Sequence, residues 1–169
     1  MEKQKQPEIE VKVNFLSIDR STGAPIVVLK EKEGDLNRIL LICIGESEAA
    51  AIQRHLEKME PPRPMTHDLL KTLIETLDAK VVSVCVRSFE KRTFYAHTTL
   101  QVKNDNIDVD CRPSDAIALA LRCEAPIYVA EDVIVEQGFA EQELERGQQH
   151  DTKDVLENLD DDTLKQYTV

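Results

Sequence analysis

The stretch that most limits how this chain can fold is VDCRPSDAIALALR, from Val109 to Arg122. Between Ile117 and Leu121 it carries no polar side chain, so a helix there offers nothing to water and has to be buried. Pro126 disfavours helix at Ala125 and ends it nearby. The helix is introduced by a charged, kinked tetrapeptide, Arg112-Pro113-Ser114-Asp115. Part of that is ordinary helix-start chemistry. The first N–H groups of a helix lack partners. Ser114 can cap one, Pro113 fits the first turn, and Asp115 suits the positive end of the dipole. Capping explains neither Arg112 nor Asp110, which lies two residues earlier and on the same strand face if the strand persists. Together Asp110, Arg112 and Asp115 form either a structural ion-pair cluster or a site, and from the residues alone the structural reading is the simpler.

The rest of the chain alternates strand and helix signals. Ile9, Val11, Val13 and Phe15 recur with the period of a strand. The segment DRSTGAP reads as a turn, and residues 26–45 as a hairpin turning at Gly34-Asp35. A helix is expected over residues 46–59, followed by the proline-stiffened connector EPPRPM. Thr66 is the expected N-cap of the next helix, whose apolar face is Leu69, Leu70, Leu73, Ile74 and Leu77. Three strand-like runs follow, turning at Glu90-Lys91-Arg92 and Asn104-Asp105-Asn106. Beyond the apolar helix come a short strand, IYVA, and a short helix, EDVIVEQ, which Gly138 can terminate. SEAAAIQRHL at Ser47 and SDAIALALRC at Ser114 share an order of residue types, each after an expected hairpin. The chain therefore reads as two β-β-α halves joined by the Thr66 helix, or the echo is coincidence.

The formal net charge of -11 is concentrated at one end. Residues 131–169 carry 12 acidic and 3 basic side chains, which leaves 20 acidic and 18 basic in the first 130 residues. Such a tail argues against a strong nonspecific grip on nucleic acid but leaves room for a local basic groove. Cys43, Cys85, Cys111 and Cys123 show no metal-site spacing and read as buried free thiols of a reducing compartment. No apolar run reaches the roughly 18 residues that span a bilayer, and the first ten residues lack a signal core, so a cytoplasmic location is expected. His55, His97 and His150 show no paired metal spacing. Phosphate-binding glycine loops, H-E-x-x-H and G-x-S-x-G are missing.

The other two helix starts repeat the pattern of the first. Glu46, Ser47 and Glu48 open one, and Thr66, His67 and Asp68 open the other. If all three starts converge, Glu48, His67, Asp68, Asp110 and Asp115 are gathered in one place. Clustered carboxylates with waters suit Mg²⁺ or Mn²⁺, and a histidine beside them suits general base or ligand work. Arg54, Arg63, Arg112 and Arg122 stand near enough in this scheme to meet phosphates. Ordinary surface charge accounts for all of these arginines except Arg112.

The blocks IGESEAAAI, PPRPMTHDLL, FYAHTTL, VDCRPSDAIALALR and APIYVAEDV resemble, in that order, the signature blocks of the bifunctional nuclease family. The resemblance runs from about Val11 to Gly138. It implies a compact α+β domain with a mixed, largely antiparallel sheet, often oligomeric, and an activity that degrades both DNA and RNA. Carried over residue by residue, the motif positions are Glu48, Arg63, Pro64, Thr66, His67, Asp68, Asp110, Arg112, Pro113, Ser114 and Asp115. Cys111 departs mildly from the family, where a small residue is common. The tail VLENLDDDTLKQY resembles an extension found on some bacterial members.

Two readings follow. In the first the chain is a metal-dependent phosphodiesterase. Asp110 and Asp115, with Glu48 or Asp68, hold Mg²⁺ or Mn²⁺. Arg112 clamps a phosphate oxygen, His67 moves a proton, and Arg63, Thr66 and Ser114 bind substrate. In the second the chain is a regulatory or protein-interaction domain, the Arg112 cluster is a closed structural network, and the acidic tail is the interaction arm. The expected organisation is a flexible N-terminus (1–8), a domain (9–138) and an acidic extension (139–169) with a short amphipathic helix in KDVLENL.

Overall fold

The structure is a computed structural model that describes residues 7–34 and 37–141. The expected helix in KDVLENL, most of the N-terminal segment and part of the Gly34-Asp35 turn lie outside the described residues. The chain forms β1 (Glu8–Ile18), β2 (Pro25–Glu31), β3 (Arg38–Cys43), α1 (Glu46–Leu56), α2 (Thr66–Thr76), β4 (Ala79–Glu90), β5 (Thr93–Val102), β6 (Asp105–Cys111), α3 (Pro113–Cys123), β7 (Ile127–Ala130), α4 (Glu131–Gln137) and β8 (Phe139–Ala140). The eight strands make one sheet in the order β6-β5-β4-β7-β1-β2-β3-β8. All neighbours are antiparallel except β4 and β7, which are parallel, so the fold is α+β with a mixed, largely antiparallel sheet.

The internal echo has a structural counterpart with one more strand than the sequence suggests. Each half is a three-stranded meander followed by a helix, β1-β2-β3-α1 and β4-β5-β6-α3, and α2 links them. The extra strand of the first half is β1, and β7 is inserted between the halves as the centre of the sheet. The meanders need tight turns. Asp19 is fully buried in the β1–β2 turn, where its carboxylate accepts from the Ser21 N–H and from the Ser21 and Thr22 hydroxyls. Gly23 supplies the left-handed φ of 75° that this turn requires. Lys91 and Arg92 are both left-handed, which matches the twist of the β4–β5 hairpin. A bulge between Val13 and Phe15 breaks the β1 alternation and leaves Phe15 exposed.

α3 lies at the centre of the helical layer. It packs on β4 and β5, with α1 and α2 on its flanks. Residues Ala116 to Ala120 are all buried, as an all-apolar helix surface requires. Small alanines let the neighbours approach closely, and Ile117 is fully enclosed. Replacing Ile117 with Ala should therefore cost about 2–5 kcal/mol in denaturant unfolding, with the slope unchanged. At its C-terminus Glu124 takes the left-handed cap conformation and the Ala125 N–H returns to the Ala120 carbonyl, which confirms the stop before Pro126.

α2 overturns an expectation. Its stripe of leucines does not face the core: Leu69, Leu73 and Leu77 are 52, 51 and 75% exposed. Ile74 alone of the expected face packs on the core, and His67 is the one residue of the helix that is buried. The inward positions are taken by polar groups that bond to α3, described below. Thr66 is the first helical residue rather than the cap; Met65 occupies the cap position, and its N–H donates to Asp68 Oδ2 at 2.8 Å. α1 ends three residues early, at Leu56, with Lys58 left-handed beyond it. Gly138 does follow α4, but at φ -86° it is not a left-handed cap. A side chain there would run into the Ile134 carbonyl oxygen. The ordered fold then continues past Gly138, since Phe139 and Ala140 pair with β3. Cys85 is buried and the other three cysteines are half-buried, all as free thiols. Among the described residues no helix is long and apolar enough to cross a membrane.

Candidate functional site

The starts of α1 and α3 lie side by side because each follows the last strand of its meander. Neither helix is capped by the side chain of its N-cap residue, Gly45 or Arg112. Arg112 instead ties the two starts together. Its Nε donates to Asp115 Oδ2 at 2.7 Å, and its Nη2 donates to Asp115 Oδ1 at 3.1 Å and to Glu48 Oε1 at 2.7 Å. The Arg112 side chain is 64% exposed, so this clasp faces solvent. α2 crosses over the pair and brings the buried His67 to Asp115, with Nε2 3.1 Å from Oδ1. Burial pushes the Asp115 carboxyl up, but the Arg112 and His67 hydrogen bonds outweigh it and hold the group below its ordinary value. The Asp115 and Glu48 hydrogen bonds hold Arg112 more firmly protonated than usual.

Beside the clasp is an open cleft of about 610 Å³, walled by Ile42 to Glu48, Thr93, Phe94 and Arg112 to Ser114. Ser114 lies against this cleft, more than nine-tenths buried, and its hydroxyl has no hydrogen-bond partner among the described residues. A second cleft, of about 670 Å³, lies at the opposite ends of α1 and α3. Arg63, Met65, Asp68 and Arg122 help to line it. Here Arg122 Nε donates to Asp68 Oδ1, while its Nη1 and Nη2 donate to the Ala118 and Ala51 carbonyls. Lys71 Nζ reaches the Arg122 carbonyl at 2.9 Å. Burial raises the Asp68 carboxyl, but the Arg122 bond and the Met65 N–H outweigh it, and the net shift is downward.

The helix starts thus converge only in part. Glu48, His67, Arg112, Ser114 and Asp115 form one group, and Arg63 and Asp68 belong to the other cleft although Asp68 follows His67 directly. Thr66 is exposed and touches neither group. Asp110 does not join Arg112. The strand ends at Cys111, which packs into the core, so Asp110 faces the other side of the sheet, opposite His97 on β5. Arg122, read from sequence as surface charge, is the most buried link of the set at 8% side-chain exposure. Its signal was available: an arginine in the last turn of an apolar helix, four residues after Ala118, whose carbonyl it meets.

The proposed donors do not fit a resident Mg²⁺ or Mn²⁺. Both Asp115 oxygens and Glu48 Oε1 are taken by Arg112, Asp68 is taken by Arg122, and Asp110 lies across the sheet. Among the described residues no three His, Cys, Asp or Glu side chains are grouped as a donor set.

Both lowered carboxyls predict a pH effect. Their folded values lie below 3.8, the ordinary aspartate value, so their stabilisation is present above it and lost as pH falls through the folded value. The thermal midpoint should drop as pH falls below about 4, and Asp68→Asn should flatten part of that drop in calorimetric scans.

Residues 27–142 match the model of the bifunctional nuclease domain. The chain belongs to that family. An uncharacterized protein of Mycobacterium tuberculosis is 42% identical over 130 residues, covering 77% of this chain and 76% of that protein. Bifunctional nuclease 2 of rice is 26% identical over 126 residues, 73% of this chain and 38% of its own length. Bifunctional nuclease 2 of Arabidopsis thaliana is 28% identical over 106 residues, 61% of this chain and 32% of its own length. The family match spans both clefts and every candidate residue.

Proposed function

We propose that this protein hydrolyses phosphodiester bonds in DNA and RNA at the cleft between the α1 and α3 starts. The observation that carries the reading is the buried His67 held on Asp115, beside a solvent-facing Arg112 and an unpartnered Ser114 hydroxyl. With Nε2–H donating to Asp115, His67 keeps a lone pair on Nδ1 that can take a proton from the attacking water. Arg112 offers N–H groups to a phosphate oxygen, where negative charge builds as the water's P–O bond forms; the bond from phosphorus to the leaving sugar oxygen then breaks, and the proton held on His67 passes to that oxygen. The Ser114 hydroxyl and the N–H groups of the uncapped helix starts add donors on the same side. The substrate-binding role expected of Arg63 and Thr66 is not assigned to this cleft, since Arg63 lines the other one and Thr66 touches neither group. Dependence on Mg²⁺ or Mn²⁺ belongs to the proposal as an expectation, but no step is routed through an ion, because the carboxylates are already engaged. The protein is placed in the cytoplasm, with the acidic tail available to a protein partner.

One observation favours the rival reading of a non-catalytic interaction domain: every carboxylate of the clasp already has a protein partner. Cleavage of labelled single- and double-stranded DNA and RNA by purified protein, with Mg²⁺, Mn²⁺ or chelator, separates the two. Cleavage that depends on added metal and vanishes in folded Arg112→Ala protein supports the nuclease. Inactivity of the native chain on all four substrates leaves the clasp as a structural element.

A further inference from the structure

α2 has its polarity reversed. Three of its four charged or titratable side chains are turned toward α3: His67 to Asp115, Asp68 to Arg122, and Lys71 to the Arg122 carbonyl; the fourth, Glu75, is exposed beside Lys71 and off the leucine side. Its solvent side shows Leu69, Leu70, Leu73 and Leu77, which are 39 to 75% exposed. At 100° per residue these four fall within one 100°-wide stripe, and the residues beside them are Thr66, Thr72 and Thr76. No charge interrupts this side of the helix. Met65, at its head, is 42% exposed. A contiguous apolar, uncharged face of this kind marks an interaction surface on a protein with so many charged residues.

The geometry points to a second copy of this chain as the occupant, packed through α2 in an antiparallel pair about a two-fold axis at Leu73. Three features select it. The stripe is symmetric about Leu73, with Leu69 four residues before and Leu77 four after, so a two-fold sets Leu73 on Leu73 and Leu69 on Leu77. The stripe carries no charge, so self-pairing brings no like charges together. Its two ends are complementary. Arg63 precedes the positive end of the helix dipole, Asp78 follows the negative end, and both are exposed with no ion-pair partner among the described residues. An antiparallel pair brings each toward the other's end. The chain's own acidic extension fits less well, since residues 131–169 carry 12 acidic and 3 basic side chains and the C-terminal end of α2 already presents the carboxylates of Glu75 and Asp78. The inference is independent of the nuclease reading.

Sedimentation of the full chain over a concentration series tests it. A concentration-dependent dimer is expected, and Leu73→Glu should weaken it about 100-fold or more because a charge would be buried at the axis. The melting midpoint of the monomer should not move, since residue 73 is half exposed. Leu73→Cys should form a covalent dimer with oxidised glutathione. Leu69→Cys alone should not, yet should couple to Leu77→Cys when the two proteins are mixed. The inference is overturned by a full chain still monomeric at about 100 µM, or by a dimer untouched by Leu73→Glu. It is equally overturned if the α2 amides are protected from exchange in a monomer and lose that protection in Leu156→Asp/Leu159→Asp protein, which would make the tail the cover.

Discussion

Asp115→Asn should lower kcat/KM for oligonucleotide cleavage by about 100-fold or more while leaving the protein folded. The substitution keeps the shape of the side chain and removes its charge. Asp115 now accepts from Arg112 Nε and Nη2 and faces His67 Nε2. An amide can satisfy one neighbour with its oxygen but turns its NH2 toward another donor. Either the guanidinium swings loose or His67 loses the group that fixes its tautomer, and a misheld base is costly even where the fold survives. The effect on stability should be smaller, about 1–3 kcal/mol. Size decides between the roles. Loss of a binding contact alone would raise KM and leave kcat near native, whereas loss of a positioned base lowers kcat. Glu48→Gln should fall between native and Asp115→Asn, because Glu48 touches Arg112 but not His67. Cleavage by Asp115→Asn within threefold of native would place the chemistry elsewhere. Arg112→Lys is the companion variant, since an ammonium cannot make the two-pronged contact with Asp115 and also reach Glu48.

The sequence exposes this fold where one physical rule dominates, and misleads where two rules compete. α3 was legible because five consecutive apolar residues leave a helix no choice but burial. β1 was legible from period-two alternation and the other strands from apolar runs between turn signals, whereas no residue type announces the bulges at Val13–Phe15, Val81–Ser83 and Val86–Ser88. The clasp was partly legible: Arg112 had no use as a cap, and the shared pattern at Ser47 and Ser114 pointed to Glu48 as the counterpart of Asp115. The make-up of each half was harder to see: β1, β4, β5 and β6 all read as strands, but no local pattern shows that each helix start is preceded by three of them rather than by one hairpin. Convergence of all the carboxylates failed on a detail of the chain path. The strand ends at Cys111, so Asp110 keeps the sheet's alternation and turns away, while Arg112 has already left it. His67 and Asp68 are adjacent in sequence, and on a helix adjacent residues point about 100° apart, toward different clefts. α2 is the clearest failure. Its leucines satisfy the rule for a buried face, yet the inward side belongs to His67, Asp68 and Lys71, because α3 offers them partners that no local pattern reveals.

Those partners make Arg122 a strong stability determinant of the helical layer, and Arg122→Met should cost about 3–5 kcal/mol. At about 2–4 °C per kcal/mol for a chain of this size, the melting midpoint should fall by roughly 6–20 °C. Methionine keeps the length of the aliphatic stem but supplies no donor. The Asp68 carboxylate then loses its cation, and the Ala51 and Ala118 carbonyls lose the guanidinium that joins α1 to α3. Arg112 offers the contrast. It also bridges two helices through carboxylates, but its side chain is 64% exposed where that of Arg122 is 8% exposed. Water compensates for the loss of an exposed pair, so Arg112→Ala should destabilise by no more than about 1 kcal/mol. A second variant tests the cause. Removing both partners, in Arg122→Met/Asp68→Leu, leaves no unpaired carboxylate and should recover a substantial part of the loss. If the double variant is as unstable as the single one, the cost lies in the carbonyl contacts to α1 and α3 rather than in the abandoned charge. Hydrogen exchange locates the damage. α2 is held to the body by His67, Asp68, Lys71 and Ile74, so its amides should lose protection before those of α3 in Arg122→Met protein. Simultaneous loss across the whole sheet would show instead that α2 is no separate unit and that Arg122 supports the global fold directly.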